Sequence, residues 1–486
     1  MLVDLTAQLD RTERLLRQLL AAKTGRKSEQ LSPDQLALFA AEAGVAVEEE
    51  SEDEDDILPP PASGASTKKP HGRRPLSPHL KRQRIEHDLA EPEKHCAECA
   101  QDLRFIGEES SERYEYLPAQ MLVIEDVCKK YACQCTIKTA TKPAQPIEKS
   151  VAGASLLTQV IVAKYADHLP LHRQGKMFRR FGIELSDQTM CGWMGQCAAL
   201  LEPLYDRLKK FVLESKVVGT DDTPVKVLDR HLPHARKGRI WPYVGDREHG
   251  AAIYDYTATR ERAGPERFLK NYRGHLQADA YVAYDSFFTD PAREMTEVGC
   301  WAHARRHFYQ AQENDPSRMR TVLLLIAELY RVEKLARERG LRGEELRLLR
   351  EHGARPVLGK IHAYLTEIRA QVLPKSEAGQ AAAYALKNWA ALERYCGDPD
   401  LEIDNNATER SLRCFAVGRN NWTFFGSDRG GRTAAVLRSF VTSCELARID
   451  PFAWFRDVLS RIADHPVTRL DELLPHRWTP VVSPQP

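Results

Sequence analysis

The chain has 486 residues, of which 42% are hydrophobic and 29% charged, and 70 Lys and Arg against 69 Asp and Glu leave a net charge of +1. This composition is typical of a folded protein of roughly three domains and excludes bulk disorder. No apolar run approaches the roughly 18–20 residues that a transmembrane helix needs, and the first residues lack a secretory signal, so we expect a cytoplasmic protein without a membrane partner.

Residues 1–40 predict an N-terminal helical, leucine-zipper-like region. Leucines at alternating steps of three and four residues run from Leu2 to Leu19, with one interruption at Thr12. This spacing is typical of a coiled-coil seam, although the seam spans fewer than three heptads. It predicts either a dimerisation helix or an amphipathic helix that docks on its own chain.

Residues 41–90 form a charged linker in which the two signs are segregated. Eight of the nine residues from Glu48 to Asp56 are acidic, whereas Ile57–Ile85 holds seven cations and no carboxylate. The basic half either grips DNA phosphates or serves as a solvated tether. The cations considered for DNA contact are Lys68, Lys69, Arg73 and Arg74.

Residues 91–140 predict a zinc-ribbon-like module. Two close pairs of cysteines are the candidate ligands of one structural Zn²⁺: Cys96 with Cys99, and Cys133 with Cys135. Four thiolates brought together by a hairpin make a tetrahedral zinc site. The second pair has a tight spacing, so Cys128 or His95 could replace one ligand, and a ribbon without metal is the alternative.

Residues 150–213 predict a helical domain that resembles a helix-turn-helix. Helices are expected at Arg173–Phe181 and Ser186–Leu200, with a turn at Gly182 and Ser186 as the N-cap of the second helix. The second helix either reads the DNA major groove or packs as helix pairs do in any all-α domain.

The hydrophobic period changes at residue 214 and predicts an α/β core. Strands are expected at 217–220, 225–228, 240–244, 251–256, 275–278 and 298–301, with helices at 265–272 and 303–311. This first segment of the core covers residues 214–312. After it come an all-helical insertion at 313–398, a second core segment at 399–447 and a C-terminal tail at 448–486. The second core segment predicts helices at 405–415 and 433–446 around a strand at 421–425.

Three carboxylates of this core stand out. Asp221 and Asp279 each follow a predicted strand, and Glu409 lies on a predicted helix. Each acid alone could be a turn residue, a cap or a surface partner of Arg413. Together, at one sheet edge, they would repel one another unless they held divalent cations such as Mg²⁺ or Mn²⁺. Two such ions could activate a water or a 3′-hydroxyl at a phosphodiester.

Several longer motifs in one order carry a resemblance to a known family: Gly25–Leu31, Asp34–Phe39, Lys164–Gln174, Cys300–Arg306, Asp404–Arg413 and Leu473–Pro475. With these motifs the chain resembles the transposases of the insertion-sequence 66 family. The resemblance implies an RNase H-like catalytic core with a mixed sheet, interrupted by the helical insertion. It also implies a bacterial-type transposase that binds its element ends, cuts them and joins their 3′-hydroxyls to target DNA by a two-metal DDE mechanism.

The resemblance also assigns roles to single residues. Asp221, Asp279 and Glu409 match the three catalytic acids, which would bind two Mg²⁺ or Mn²⁺ ions. The family usually has Asp-Glu-Thr-Pro at the first acid, whereas this chain has Asp222 in second place, which makes Asp222 a rival ligand. Residues near the acids that could hold DNA, or else form surface ion pairs and a solvated helix, are His303, Arg305, Arg306, Arg410, Arg413, Arg419 and Trp422.

The expected partner is double-stranded DNA, both element ends and target. A homodimer or higher oligomer on DNA, association with the nucleoid, and small companion proteins encoded by the same element are also implied. Two other functions stay open: a catalytically silent DNA-binding or regulatory protein, and an RNase H-like nuclease with another role. Mg²⁺-dependent joining of 3′ ends distinguishes the transposase from both.

Overall fold

The computed structural model describes residues 120–132, 135, 137–141, 144–229 and 231–480. Residues 120–125 belong to a separate unit and carry no helix or strand, and the described residues from Asp126 onward belong to one compact unit. Strand β1 (Lys130–Ala132) pairs antiparallel with β2 (Ile137–Thr139). The short connection between them carries Cys135, which is exposed.

Three helices follow: α1 (Ala154–Tyr165), α2 (Leu171–Arg179) and α3 (Asp187–Leu213). The predicted helix–turn–helix pair is confirmed as α2 and α3. Its turn needs Gly182, because φ is +75° there, in the left-handed region that favours glycine. Ser186 caps α3 as predicted, since its hydroxyl accepts a hydrogen bond from the Thr189 amide at 3.0 Å.

The main sheet has six strands: β3 (Val217–Thr220), β4 (Thr223–Val227), β5 (Arg236–Val244), β6 (Ala252–Thr257), β7 (Gly274–Gln277) and β8 (Met295–Val298). Strand β5 pairs antiparallel with β3, β4 and β6. Strand β7 pairs parallel with β3 and with β8. The sheet is therefore mixed. Asp221 and Asp222 form the two-residue connection between β3 and β4.

Helices surround and interrupt this sheet. Those between the strands and beside them are α4 (Ala263–Phe268), α5 (Asp285–Thr289) and α6 (Trp301–Ala311). The predicted insertion holds α7 (Pro316–Glu338), α8 (Gly343–Leu349), a π-helical turn (Arg350–Ala354), α9 (Arg355–Gln371), α10 (Glu377–Lys387) and α11 (Trp389–Glu393). The chain then forms α12 (Asn406–Trp422), α13 (Asp428–Leu446) and α14 (Pro451–Arg461).

Short 3₁₀ segments complete the regular structure of the described residues: Val282–Tyr284, Pro291–Arg293, Arg394–Cys396, Val467–Leu473 and Pro475–Arg477. No helix in the described ranges is long and apolar enough to cross a membrane.

The central helix α13 covers β6, the strand at one edge of the sheet. Ser439 and Ser443 accept hydrogen bonds from the backbone amides of Tyr254 and Ala252, at 2.8 and 3.2 Å. These hydroxyls satisfy strand amides that would otherwise be buried without an acceptor, so a helix closes the sheet edge.

The helices of the insertion form a second core with α6. Trp301 and Phe308 of α6 are buried against apolar residues of α7, α9 and α10, such as Ile326 and Leu358. The buried Arg350 ties this core to the chain that leads back to the sheet. It pairs with Glu333 at 2.8 Å and donates to the carbonyls of Tyr395, Asp398 and Leu401.

Two predicted strands were wrong. Residues 421–425 are not a strand, because α12 continues through Trp422 and only Phe425 pairs with β4, as an isolated bridge to Val227. The strand predicted at 298–301 ends at Val298, since Trp301 begins α6 and donates its amide to the carbonyl of Ile403 at 3.1 Å.

Candidate active site

Two of the predicted acids follow neighbouring parallel strands. The pairing of β3 with β7 matches Gly219 with Gln277, and continuing that register by two residues sets Asp221 opposite Asp279. Neighbouring strands lie about 4.8 Å apart. Both carboxylates therefore project from the carboxyl end of the same pair of strands.

The third acid arrives on a helix that packs directly on β3. Glu409 lies in the first turn of α12, and Thr408 beside it contacts Gly219 so closely that a Cβ there would lie 2.1 Å from the Thr408 hydroxyl. Asn405, just before the helix, donates from its side-chain amide to the Thr220 carbonyl at 2.8 Å. A glycine in β3 thus lets the helix bring Glu409 to the strand end.

The segment that leads into α12 is held by two further hydrogen bonds. The Gln277 side chain at the end of β7 donates to the Glu402 carbonyl at 2.7 Å. The backbone amide of Asn405 donates a hydrogen bond to the sulfur of Cys300, just before α6, at 3.2 Å. Strand β7, helix α6 and helix α12 therefore meet at the same edge of the sheet.

The electrostatics of the three acids reflect this proximity. The pKa of Asp221 is raised to about 7, mainly by burial. A hydrogen bond from the Asp222 backbone amide lowers this pKa, and the charges of Asp279, Asp222 and Glu409 raise it. Burial also raises the pKa of Asp279 to about 6, with repulsion from Asp222 next, opposed by Arg260. Close carboxylates disfavour one another's charged forms.

This set of donors fits a hard divalent cation. Asp221, Asp279 and Glu409 offer only carboxylate oxygens, which Mg²⁺ and Mn²⁺ prefer. A bound cation would also remove the mutual repulsion that raises the pKa of both aspartates.

Asp222, the rival ligand, is engaged by two arginines instead. One carboxylate oxygen accepts from Arg239 at 2.6 Å, and the other accepts from Arg260 at 2.9 and 2.7 Å. The Asp222 side chain is only 3% exposed. Arg260 also stacks on the ring of Tyr281 at 4.0 Å. Asp222 thus anchors the loop after β3, and its oxygens point to arginines rather than to the acids.

His303 lies beside the third acid. Its Nδ1 is 3.5 Å from a carboxylate oxygen of Glu409, and Cys300, His303 and Glu409 offer ligand atoms within 4.8 Å of one another. Burial raises the pKa of Cys300 to about 12, so without a metal its sulfur is an uncharged thiol. This sulfur accepts a hydrogen bond from the backbone amide of Asn405. Without a metal, the group therefore presents a thiol, an imidazole and a carboxylate beside one another.

The predicted DNA-contacting residues separate into two groups. Arg410 and Arg413 lie exposed on α12, close to Glu409. Arg419 instead donates to the Pro224 carbonyl, and Trp422 stacks on Phe425 with ring centroids 4.7 Å apart.

On α6, Arg305 and Arg306 are half-buried, and the Arg305 guanidinium lies 6.0 Å from the ring centre of Tyr309. The remaining predicted site residues lie outside the described residues: Lys68, Lys69, Arg73, Arg74, Cys96, Cys99 and Cys133.

Comparisons with known proteins identify the family. A family model described as "Transposase IS66 family" matches residues 149–433, more than half of the chain. The chain belongs to the IS66 transposase family. Three further models match other parts of the chain: a "zinc-finger binding domain of transposase IS66" at 93–136, an "IS66 C-terminal element" at 439–476, and a "Transposase C of IS166 homeodomain" at 11–85.

Relatives of this IS66 family member are found in Sinorhizobium fredii. The protein called "Uncharacterized protein y4hP" is 34% identical over 98% of this chain and 89% of its own length. "Uncharacterized protein y4jD" is 32% identical over 83% and 81% of the two chains, and "Uncharacterized protein y4qI" is 31% identical over 96% and 88%. Family membership indicates a DNA-processing enzyme, with DNA as its partner.

Sequence reasoning missed the residues that hold the site together. Arg239 and Arg260 lie 17 and 38 residues from Asp222, and no local pattern links them. Asn405 and Gly219 each carried a signal, because Asn405 belongs to the Asp-Asn-Asn motif and a glycine one residue from a strand end indicates a close approach.

Proposed function

We propose that this protein is the transposase of a bacterial-type insertion sequence, which cuts its element ends and joins their 3′-hydroxyls to target DNA. Asp221, Asp279 and Glu409 are its three catalytic carboxylates. One observation carries the proposal: the β3–β7 register sets two acids side by side, and α12 packs on Gly219 with the third acid in its first turn.

We infer an RNase H-like core from the same arrangement. Antiparallel strands come first, parallel strands follow, and the acids collect at the carboxyl ends of the central parallel pair. The helical insertion lies between α6 and α12 in the chain, so it interrupts the core between the second acid and the third.

The three carboxylates would hold two Mg²⁺ or Mn²⁺ ions. When bound, such ions supply activation of a water or 3′-hydroxyl and stabilisation of the leaving oxygen at phosphorus. The side chains of this protein bind and orient: Asp222 fixes the loop that carries Asp221, and Arg410 is exposed next to Glu409, where a phosphate could be held.

The zinc module belongs to the same proposal. Cys96, Cys99, Cys133 and Cys135 would bind one structural Zn²⁺, since they fall within the span matched by the zinc-finger model. The zinc content of the purified wild type, compared with that of the Cys96→Ser variant, tests this ligand set.

Cleavage of element-end DNA tests the proposed function. The substrate is a duplex that carries one end of the element with its flanking DNA. We expect Mg²⁺-dependent cleavage by the wild type and a loss of roughly 100-fold or more in Asp221→Asn, Asp279→Asn and Glu409→Gln, because each removes a ligand charge.

Asp464→Asn, which changes an exposed carboxylate outside the site, is the matched control and should cleave as the wild type does. Cleavage that survives Asp279→Asn at the wild-type rate would overturn the assignment of the acids. A wild type that binds end DNA without cutting it, even with the element's companion proteins, would favour the silent DNA-binding protein.

A further inference from the structure

Helix α2 presents an exposed cationic face that the assigned site does not use. Arg173 and Lys176 lie in α2, and Arg180 is its C-cap residue with helical backbone angles. The three follow one another at steps of three and four residues, and all three are exposed. The opposite face is buried through Gln174, Gly175 and Phe178. Since residues three and four apart share one side of a helix, the cations form a stripe that points away from the core.

Hydrogen bonds on the buried face of α2 fix the orientation of this stripe. The side-chain amide of Gln174 donates to the carbonyls of Val160 and Leu169, at 3.3 and 3.0 Å. The helix therefore cannot roll without losing buried hydrogen bonds.

The charge of the stripe is uncompensated. Residues 168–183 contain no carboxylate. None of Arg173, Lys176 and Arg180 forms an ion pair with another residue in the part of the chain that the structure describes. Three exposed cations without a nearby acid raise the local positive potential, which attracts an anionic partner.

Helix α12 connects this stripe to the acids. Glu409, Arg413 and Asn420 lie at positions i, i+4 and i+11 and so share one face, along which Arg413 and Asn420 are exposed. At the end of α12, the Asn421 side chain accepts a hydrogen bond from Arg173 at 3.4 Å.

The distance along this path suits a DNA duplex. Twelve residues separate Glu409 from Asn421, which corresponds to about 18 Å along a helix. The same length spans about five base pairs of B-DNA.

We propose that Arg173 and Lys176 of α2, the C-cap residue Arg180 and Arg413 of α12 form one phosphate-binding track that holds the DNA duplex about five base pairs from the bond that is cut. This inference rests on the proposed function. It assigns the contact to backbone phosphates and not to bases, in keeping with the first helix of a helix-turn-helix, which crosses the backbone.

The salt dependence of DNA binding tests this track. The triple variant R173Q/K176Q/R180Q is compared with the wild type by fluorescence anisotropy, on a labelled end duplex of about 30 base pairs and a scrambled duplex of the same length. The titrations are run at several NaCl concentrations without added Mg²⁺ or Mn²⁺, so no cleavage contributes to the signal, and without a chelator, which would remove the proposed structural zinc.

The plot of log affinity against log salt has a negative slope. We expect this slope to be shallower by about two to three in the triple variant, since each lost phosphate contact removes about 0.9 from its magnitude. Affinity at about 0.1 M salt should fall roughly 10- to 100-fold, and equally on both duplexes, because phosphates carry no sequence information.

The matched control is K360Q/R369Q/K375Q, which removes three exposed cations from the helical insertion. It should keep the wild-type slope. A slope in R173Q/K176Q/R180Q that equals the control would overturn the track, and so would a loss confined to the end duplex, which would indicate base reading.

Two further measurements keep the result interpretable. Denaturation midpoints should match the wild type, because the three side chains are exposed; a variant that fails to fold is replaced by single substitutions. A changed sedimentation coefficient with an unchanged salt slope would overturn the track in favour of contact between copies of the chain. Because binding is measured without added Mg²⁺ or Mn²⁺, a wild type that fails to cut defeats the proposed function alone.

Discussion

At the scale of single residues, the candidate site is a cluster of acids whose surroundings differ. Both carboxylate oxygens of Asp222 accept hydrogen bonds from Arg239 and Arg260, whereas burial and neighbouring carboxylates raise the pKa of Asp221 and Asp279. Two adjacent aspartates in the sequence therefore have different environments. Sequence spacing could identify both as acids, but only the three-dimensional partners distinguish an anchor from a candidate ligand.

The raised pKa of Asp221 predicts a pH-dependent cost in the metal-free protein. The pKa of this carboxyl is about 7 in the folded chain and 3.8 as its ordinary value, so the folded state binds the proton more tightly. Stability from this group is therefore full below pH 3.8 and is lost as the pH rises through 7. Asp221→Asn should be more stable than the wild type, by a margin that grows by roughly 2–3 kcal/mol between about pH 5 and pH 8.

Urea denaturation without divalent cation at the two pH values measures this margin. Added Mg²⁺ should narrow it, because a bound cation favours the charged wild-type carboxylate. Asp464→Asn serves as the control and should follow the wild type. A margin that stays constant with pH would contradict the burial and repulsion ascribed to Asp221.

Asp222 should act on stability rather than on metal affinity. Asp222→Asn removes the charge that pairs with Arg239 and Arg260 and should lower the free energy of unfolding by about 1–3 kcal/mol. The loss should be the same with and without Mg²⁺ when urea unfolding is followed by circular dichroism. A loss that appears only in Mg²⁺ would instead make Asp222 a ligand.

At the scale of elements, the position of Glu409 depends on how closely α12 approaches β3. Gly219→Ala would place a methyl group 2.1 Å from the Thr408 hydroxyl, so helix or strand must move. We expect a loss of about 1–3 kcal/mol in thermal or urea unfolding, as for other overpacked sites, and a fall in cleavage of roughly tenfold or more because Glu409 shifts.

Gly359→Ala is the matched control for this substitution. Gly359 lies inside α9 with open space around it, so alanine should stabilise the protein by about 0.5–1 kcal/mol and leave cleavage unchanged. A Gly219→Ala protein with wild-type stability and activity would show that the close contact does not position Glu409.

The buried side chain of Arg350 ties the insertion to the segment that leads into α12. Arg350→Ala would leave the Glu333 carboxylate buried without its partner and free three carbonyls between residues 395 and 401. Loss of a buried ion-pair partner typically costs about 3–5 kcal/mol, and we expect urea unfolding to report a loss of that size. Arg347→Ala, which removes an exposed pair with Glu344, should leave the unfolding midpoint unchanged.

Elements with a clear period could be predicted from the sequence, and elements decided by distant contacts could not. The strands at 217–220 and 275–278 and the helix pair around Gly182 follow from local patterns. Residues 421–425 have a strand-like composition, yet Trp422 extends the helix because Gly418 leaves room for its ring. At Trp301, a hydrogen bond to Ile403 replaces the expected strand pairing.

At the scale of the whole molecule, the net charge of +1 conceals a strongly uneven distribution. An acidic strip at Glu48–Asp56 offsets cations elsewhere, among them the exposed stripe on α2. We predict that DNA affinity of the full chain falls steeply as salt rises, as it does for proteins that contact several phosphates. Anisotropy titrations from about 50 to 200 mM NaCl measure this, and an affinity that is independent of salt would contradict it.

The central claim is that Asp221, Asp279 and Glu409 form one metal-dependent centre for joining DNA. The most direct test supplies an element-end duplex already cut to expose its 3′-hydroxyl, a supercoiled plasmid as target, Mg²⁺ and any companion proteins, and measures covalent joining of end to plasmid. The wild type should form joined products, and Asp279→Asn should form none. Joining by Asp279→Asn at the wild-type rate, or hydrolysis without joining by the wild type, would contradict the claim.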